Sequence, residues 1–118
     1  MGASVSWFEI PAADPQRLAA FYKAAFGWSA EQYPGMDYFL LDTQANGSGI
    51  GGAITKRGPL QAPATTLYVE SIDAAIATVR ANGGTILGET ITVPQVGTYA
   101  YAADPEGNVF GMLQQAAA

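Results

Sequence analysis

The stretch Trp7-Phe8-Glu9-Ile10-Pro11-Ala12-Ala13-Asp14 runs from an aromatic, alternating pattern into a helix start. It returns in weaker form as Ala64-Thr65-Thr66-Leu67-Tyr68-Val69-Glu70-Ser71-Ile72-Asp73. Each copy is followed by one amphipathic helical stretch and then by short strand patterns broken by glycine. Alternation rich in aromatic and β-branched residues is the mark of a half-buried strand, and apolar residues every three or four positions mark a helix. The chain therefore reads as strand, helix, strands, twice over. Two such units can curve a sheet around a cavity, and a cavity implies a small-molecule site.

Working outward, Val5 to Ile10 is the first strand. Asp14 can cap the helix that follows, and Pro15 suits its first position because the missing N–H costs nothing there. Leu18, Phe21, Tyr22 and Ala25 fall at helical spacing and predict the buried stripe, and Gly27 ends it. Asp37 to Asp42 is a strand, Thr43 to Gly49 a polar loop and Ile50 to Thr55 a third strand. Gly51 and Gly52 within it mark a bulge or a close approach by another group. The organisation is a first module over 1–58, a linker over 59–63 and a second module over 64–118. In the second, Thr65 to Val69 is a strand, and Ile72, Ile76 and Val79 space a helix that Asn82-Gly83-Gly84 stops. Thr85 to Leu87 and Glu89 to Val93 read as two short strands. Thr98 to Ala103 enters the turn Asp104-Pro105-Glu106-Gly107-Asn108, and Val109 to Gln114 closes the hairpin. Asp104 is a turn residue bonding its own backbone. Gln115 to Ala118 reads as a frayed tail.

Composition narrows the function. The 118 residues are 49% hydrophobic, enough for one core or two small modules sharing one. No apolar run approaches the roughly 18 residues that span a bilayer. Met1-Gly2-Ala3-Ser4 shows no secretory signal. There is no Cys and no His, which removes disulfides and thiolate chemistry and is in keeping with a cytoplasmic location. Ten acids oppose five bases, and only Lys56-Arg57 are adjacent. Nucleic acid and anionic membranes need clustered Lys and Arg, so neither is expected as a partner. An acidic surface suits solubility or a cationic ligand.

Several pieces, in this order, cover almost the whole chain: Glu9-Ile10-Pro11 with Asp14; Phe21-Tyr22 through Phe26-Gly27-Trp28; Tyr68-Val69 with Ile72-Asp73-Ala74-Ala75; Gly83-Gly84; and Asp104-Pro105-Glu106-Gly107-Asn108. Together they resemble the vicinal oxygen chelate superfamily, the relatives of glyoxalases, bleomycin-resistance proteins and extradiol dioxygenases. Val93-Pro94-Gln95-Val96-Gly97 looks like its glyoxalase-related branch. The resemblance implies an α+β fold of paired βαβββ modules, a curved mixed sheet around a cup-shaped cavity, and commonly a homodimer. In metal-using relatives each module supplies one ligand from its first strand and one from its last. The matching positions here are Trp7, about Ala64, Gly111 and a residue near Gly52. None suits a divalent ion, which wants about four to six N or O donors. No metal and no cofactor are therefore expected.

Glu9 lies two residues past Trp7, so both project from one face of the first strand. A carboxylate among rings on that face could act as a general base or grip a cation. It could equally pair with a base at a dimer seam. Tyr38, Tyr68, Tyr99 and Tyr101 sit on strands and offer flat area with a hydroxyl, and Thr66 shares a face with Tyr68. Phe21, Tyr22 and Trp28 read as packing. Gly47-Ser48-Gly49-Ile50-Gly51-Gly52 lacks the Lys and the following helix of a phosphate loop. The expectation is a metal-free protein holding a small aromatic or cationic ligand in an acidic, aromatic-lined cup. The alternatives are a metal-independent lyase or isomerase with Glu9 as base, or an interaction module with a vestigial pocket.

Overall fold

The computed structural model describes residues 2–43 and 49–117, so most of the expected loop Thr43–Gly49 lies outside the described residues. The chain divides into two compact units, Trp7–Ala64 and Thr65–Ala118 with Met1–Ser6. The first carries β1 (Ser4–Ala12) from Trp7 on, α1 (Pro15–Phe26), β2 (Ser29–Gln32), β3 (Tyr38–Asp42) and β4 (Gly51–Lys56). The second carries β5 (Ala64–Tyr68), α2 (Ile72–Ala81), β6 (Thr85–Val93), β7 (Gly97–Ala103) and β8 (Val109–Gln115). The fold is thus α+β, made of paired βαβββ modules.

The modules are built alike. In the first, β1 runs parallel to β4, with Trp7 opposite Gly51 and Glu9 opposite Ala53, and β4, β3 and β2 continue antiparallel. In the second, β5 runs parallel to β8, with Thr66 opposite Gly111, and β8, β7 and β6 continue antiparallel. One helix covers one face of each sheet. Ala12, Ala19, Phe39, Leu41 and Ile54 are buried under α1, with Phe8, Ile10, Leu18, Tyr22 and Trp28 packed against them. Ile72, Ala100, Ala102 and Met112 form the counterpart under α2.

Local chemistry fixes the helix ends. Asp14 Oδ1 accepts from the Arg17 N–H at 3.2 Å, and Pro15 opens α1 as expected. Ser71 Oγ accepts from the Ala74 N–H at 3.2 Å, and Gln114 Oε1 on β8 accepts from the Ile72 N–H at 2.8 Å. Two orphan donors of α2 are so satisfied, each cap typically contributing about 1 kcal/mol. At the last turn, Asp104 Oδ1 accepts from the N–H groups of Glu106 at 2.9 Å and Asn108 at 3.0 Å. The Asn108 side-chain amide, then the Asn108 backbone N–H, with those of Glu106 and Gly107, hold the Asp104 carboxyl below the usual carboxylate range, against a partial loss of hydration.

Four expectations are corrected. Phe21 and Ala25 are exposed rather than part of the buried stripe, and Pro15 and Ala19 take those places. Ser29–Gln32 is a strand that composition did not announce. Thr85 to Val93 is one strand with a break in register between Leu87 and Ile91, not two strands. Gln115 ends β8 rather than starting a tail. No described helix is long and apolar enough to cross a membrane.

Candidate functional site

Side chains alternate across a strand, so burying Phe8, Ile10, Phe39 and Leu41 under α1 sends their neighbours to the other face. That helix-free face of the first module carries Trp7, Glu9, Tyr38 and Leu40. Glu9 is 9% exposed, and the Tyr38 hydroxyl donates to its Oε2 at 3.1 Å. The pair joins residues 29 apart in sequence. Leu40, on the same face, is 36% exposed and was not singled out, although it stands two residues from Tyr38 in the same alternation.

The two strand glycines are close approaches. A Cβ built on Gly51 would lie 3.0 Å from Trp7 Cζ3, and one on Gly52 would meet the Phe8 ring at 2.5 Å from Cζ. Adjacent residues of β1 thus lay their rings against adjacent glycines of β4, one on each face.

The helix-free face of the second module gathers the other candidates. Thr66, Gly111, Tyr101 and Leu87 form one row across its four strands, and Tyr68, Leu113 and Tyr99 form the next. The Tyr99 and Tyr101 rings meet edge to face, with centroids 5.7 Å apart at 78°. A Cβ on Gly111 would lie 3.2 Å from Thr66 Oγ1 and 3.6 Å from Tyr101 Cε1. The register sets Thr66 opposite Gly111. All seven predicted residues therefore stand on helix-free faces, Trp7, Glu9 and Tyr38 in one module and Thr66, Tyr68, Tyr99 and Tyr101 in the other. A separate open groove of about 560 Å³ lies between α2 and β6, lined by Asp73, Ile76, Arg80, Ile86 and Glu89 among others, and contains none of them.

A glyoxalase-like domain model matches residues 7–113. The chain belongs to the glyoxalase-like family. This family is part of the vicinal oxygen chelate superfamily, as the motifs indicated. The glyoxalase-like domain is 31% identical over 115 residues to CFP32 of Mycobacterium tuberculosis, a glyoxylase by name, covering 93% of this chain and 43% of that protein. The chain thus spans less than half of that relative. A glyoxylase-like domain-containing protein of Didymella fabae is 30% identical over 113 residues, covering 88% of each. Methylmalonyl-CoA epimerase from M. tuberculosis superposes with a TM-score of 0.66 at 15% identity, covering 99% of this chain and 93% of that one. The Streptomyces coelicolor epimerase, solved with 2-nitronate-propionyl-CoA, gives 0.69 at 17%, covering 98% and 99%. Identities this low speak to the fold alone.

The glyoxalase-like domain does not fit the superfamily's metal. The positions matched to the superfamily's ligands, Trp7, about Ala64, Gly111 and a residue near Gly52, offer no imidazole, thiolate or carboxylate. Among the described residues no three Asp, Glu, His or Cys side chains gather closely enough to hold an ion.

Proposed function

We propose that this glyoxalase-like domain is a metal-free binding protein for a small aromatic or cationic molecule, with Glu9 as its polar anchor. The observation that carries the proposal is a nearly buried carboxylate, hydrogen-bonded by Tyr38, on a helix-free face beside Trp7. Glu9 already accepts from Tyr38, and a ligand cation or N–H group is a further partner that such a carboxylate can take. Trp7 offers a flat surface next to that charge, and cations are attracted to such ring faces. Thr66, Tyr68, Tyr99 and Tyr101 are proposed to complete the aromatic wall of the cup. The net charge of −5 favours approach of a cation. The proposal includes a homodimer.

The test begins with a thermal-shift screen of aromatic amines and flat cations. For a hit, Glu9→Gln keeps the shape and removes the charge. Loss of a charged hydrogen-bond partner costs about 1.5–3 kcal/mol, or roughly a 10- to 100-fold weaker Kd. The exposed control Glu106→Gln is expected to leave affinity unchanged. Equal affinity for Glu9→Gln and wild type would return Glu9 to a structural role. Elemental analysis of protein purified without chelator is expected to give far less than one Zn, Ni, Fe or Mn per chain, and a stoichiometric metal would overturn the metal-free part.

A second proposal, a metal-independent lyase or isomerase, draws support from one feature. The Tyr38 hydroxyl beside the Glu9 carboxylate sets a proton donor next to a base. Under that mechanism Glu9→Gln abolishes turnover rather than only weakening affinity.

A further inference from the structure

Phe26 lies on the helical face that buries Pro15, Ala19 and Tyr22, yet it is 64% exposed. Phe21 is 56% exposed. The two rings are 6.5 Å apart and continuous with Tyr22 and Trp28, whose rings stack at 4.8 Å and 7°. An aromatic cluster open to water at the end of a helix marks a contact surface rather than a core. Trp28 leads directly into β2, and β2 is the outer strand of the first module, bonded to β3 and to no other strand among the described residues. The exposed Phe26 thus precedes that outer strand by three residues in the chain.

We infer that a second copy of this chain continues the sheet past β2, with β2 pairing antiparallel to its own equivalent across a twofold axis and the Phe21 and Phe26 rings of the two copies packing on the helix side. It rests on the homodimer proposed for the binding protein and names the surface that forms it. Two observations favour this occupant. First, β2 keeps an unbroken register with β3 from Ser29 to Gln32, whereas the other outer strand, β6, is blunted by its break between Leu87 and Ile91 and by Gly88 at φ 73. Bulges of that kind protect an edge from pairing. Second, a twofold axis through Ala30 sets Ala30 opposite Ala30 and Ser29 opposite the second copy's Glu31. Facing residues then share a face and no carboxylates meet, while an axis through Glu31 would oppose two carboxylates.

The size of the surface sets the strength. With roughly 200 Å² per phenylalanine, the two rings leave about 240 Å² open on each copy. A stable interface takes about 800 Å² per partner, so the rings supply roughly a third and strand pairing with the stems of Arg17 and Lys23 must add the rest. A dimer that dissociates in the micromolar range is expected.

Sedimentation and light scattering of the full chain between about 1 and 200 µM test this. The wild type is expected to pass from 12.3 kDa to twice that mass. Phe21→Ser with Phe26→Ser is expected to stay monomeric over the range while keeping its circular dichroism. A third measurement covers the case where that variant fails to fold. The chain has no cysteine, so Ala30→Cys alone is expected to form a covalent dimer on mild oxidation, because directly opposed Cα atoms in an antiparallel pair lie about 4.5–5.5 Å apart, within disulfide reach. Glu89→Cys on β6 is expected to stay monomeric. A monomeric wild type at every concentration overturns both the dimer and this surface. A dimer that survives the double substitution, or is captured through Glu89→Cys and not Ala30→Cys, overturns the surface alone and leaves the homodimer standing.

Discussion

Gly97→Ala is expected to lower stability by more than about 3 kcal/mol, the scale of backbone strain combined with a steric clash. Gly97 opens β7 with φ +141°, a conformation that L side chains rarely adopt. A Cβ there would overlap the carbonyl oxygen of Gln114 and lie 3.0 Å from the Ala116 nitrogen. Gln114 is backbone on the facing strand and Ala116 is backbone just past its end, bonded to the Val96 carbonyl, so neither can swing aside as a side-chain tip would. A small domain holds only about 5–15 kcal/mol in total, so the variant should melt well over 10 °C lower or fail to accumulate. Gly107→Ala separates the two causes. Gly107 also has a positive φ, +88°, but no atom lies within 4 Å of its would-be Cβ. It should therefore cost only the dihedral penalty, about 1 kcal/mol. Thermal melts in which both substitutions cost the same would show that the clash has no consequence.

Gly52→Ala should cost about 1–3 kcal/mol, the usual penalty for overpacking a core. Gly52 is buried, and the new methyl would meet the Phe8 ring at 2.5 Å from Cζ and 2.6 Å from Cδ1. Phe8 packs in turn against the α1 core and against Trp28, at a centroid distance of 5.9 Å, so its ring has little room to retreat. Phe8→Leu alone is also destabilising, through lost contact. Together the two changes should cost less than their sum, because the smaller side chain makes room for the methyl. A double-mutant cycle by urea denaturation measures the coupling, and strict additivity would show that ring and glycine do not depend on each other.

The architecture was legible because its signals are local. Asp14-Pro15 marks a helix start whatever surrounds it, and the alternation around Trp7 and Glu9 marks a strand with two unlike faces. Gly51-Gly52 announced a close approach, though only the register shows which rings make it. β2 escaped because Ser29-Ala30-Glu31-Gln32 holds no β-branched or aromatic residue and owes its strand form to pairing with β3. Phe21 was misplaced because helical spacing states which residues share a side and not where the sheet under them stops. For the site, the sequence could set Glu9 and Tyr38 on strands and predict their faces. It could not bring them together, since their hydrogen bond depends on β4 lying between β1 and β3. That Thr66 faces Gly111 was out of reach for the same reason, because a parallel pairing leaves no turn from which its register can be counted.

The ring laid against a glycine also bears on the history open to this chain. At the β1–β4 pair, where metal-using relatives chelate, Trp7 leans on the bare backbone of Gly51, and any side chain placed there begins 3.0 Å from the indole. A carboxylate introduced at 51 would be forced away from the space the ring fills. Replacing the indole first would open a gap over a glycine that coordinates nothing. Neither single step leads to a working chelate, and each gives up packing at once. If the protein is metal-free as proposed, this packing resists the introduction of a donor at 7 or 51 by any single substitution, and donors at the other matched positions would still be needed.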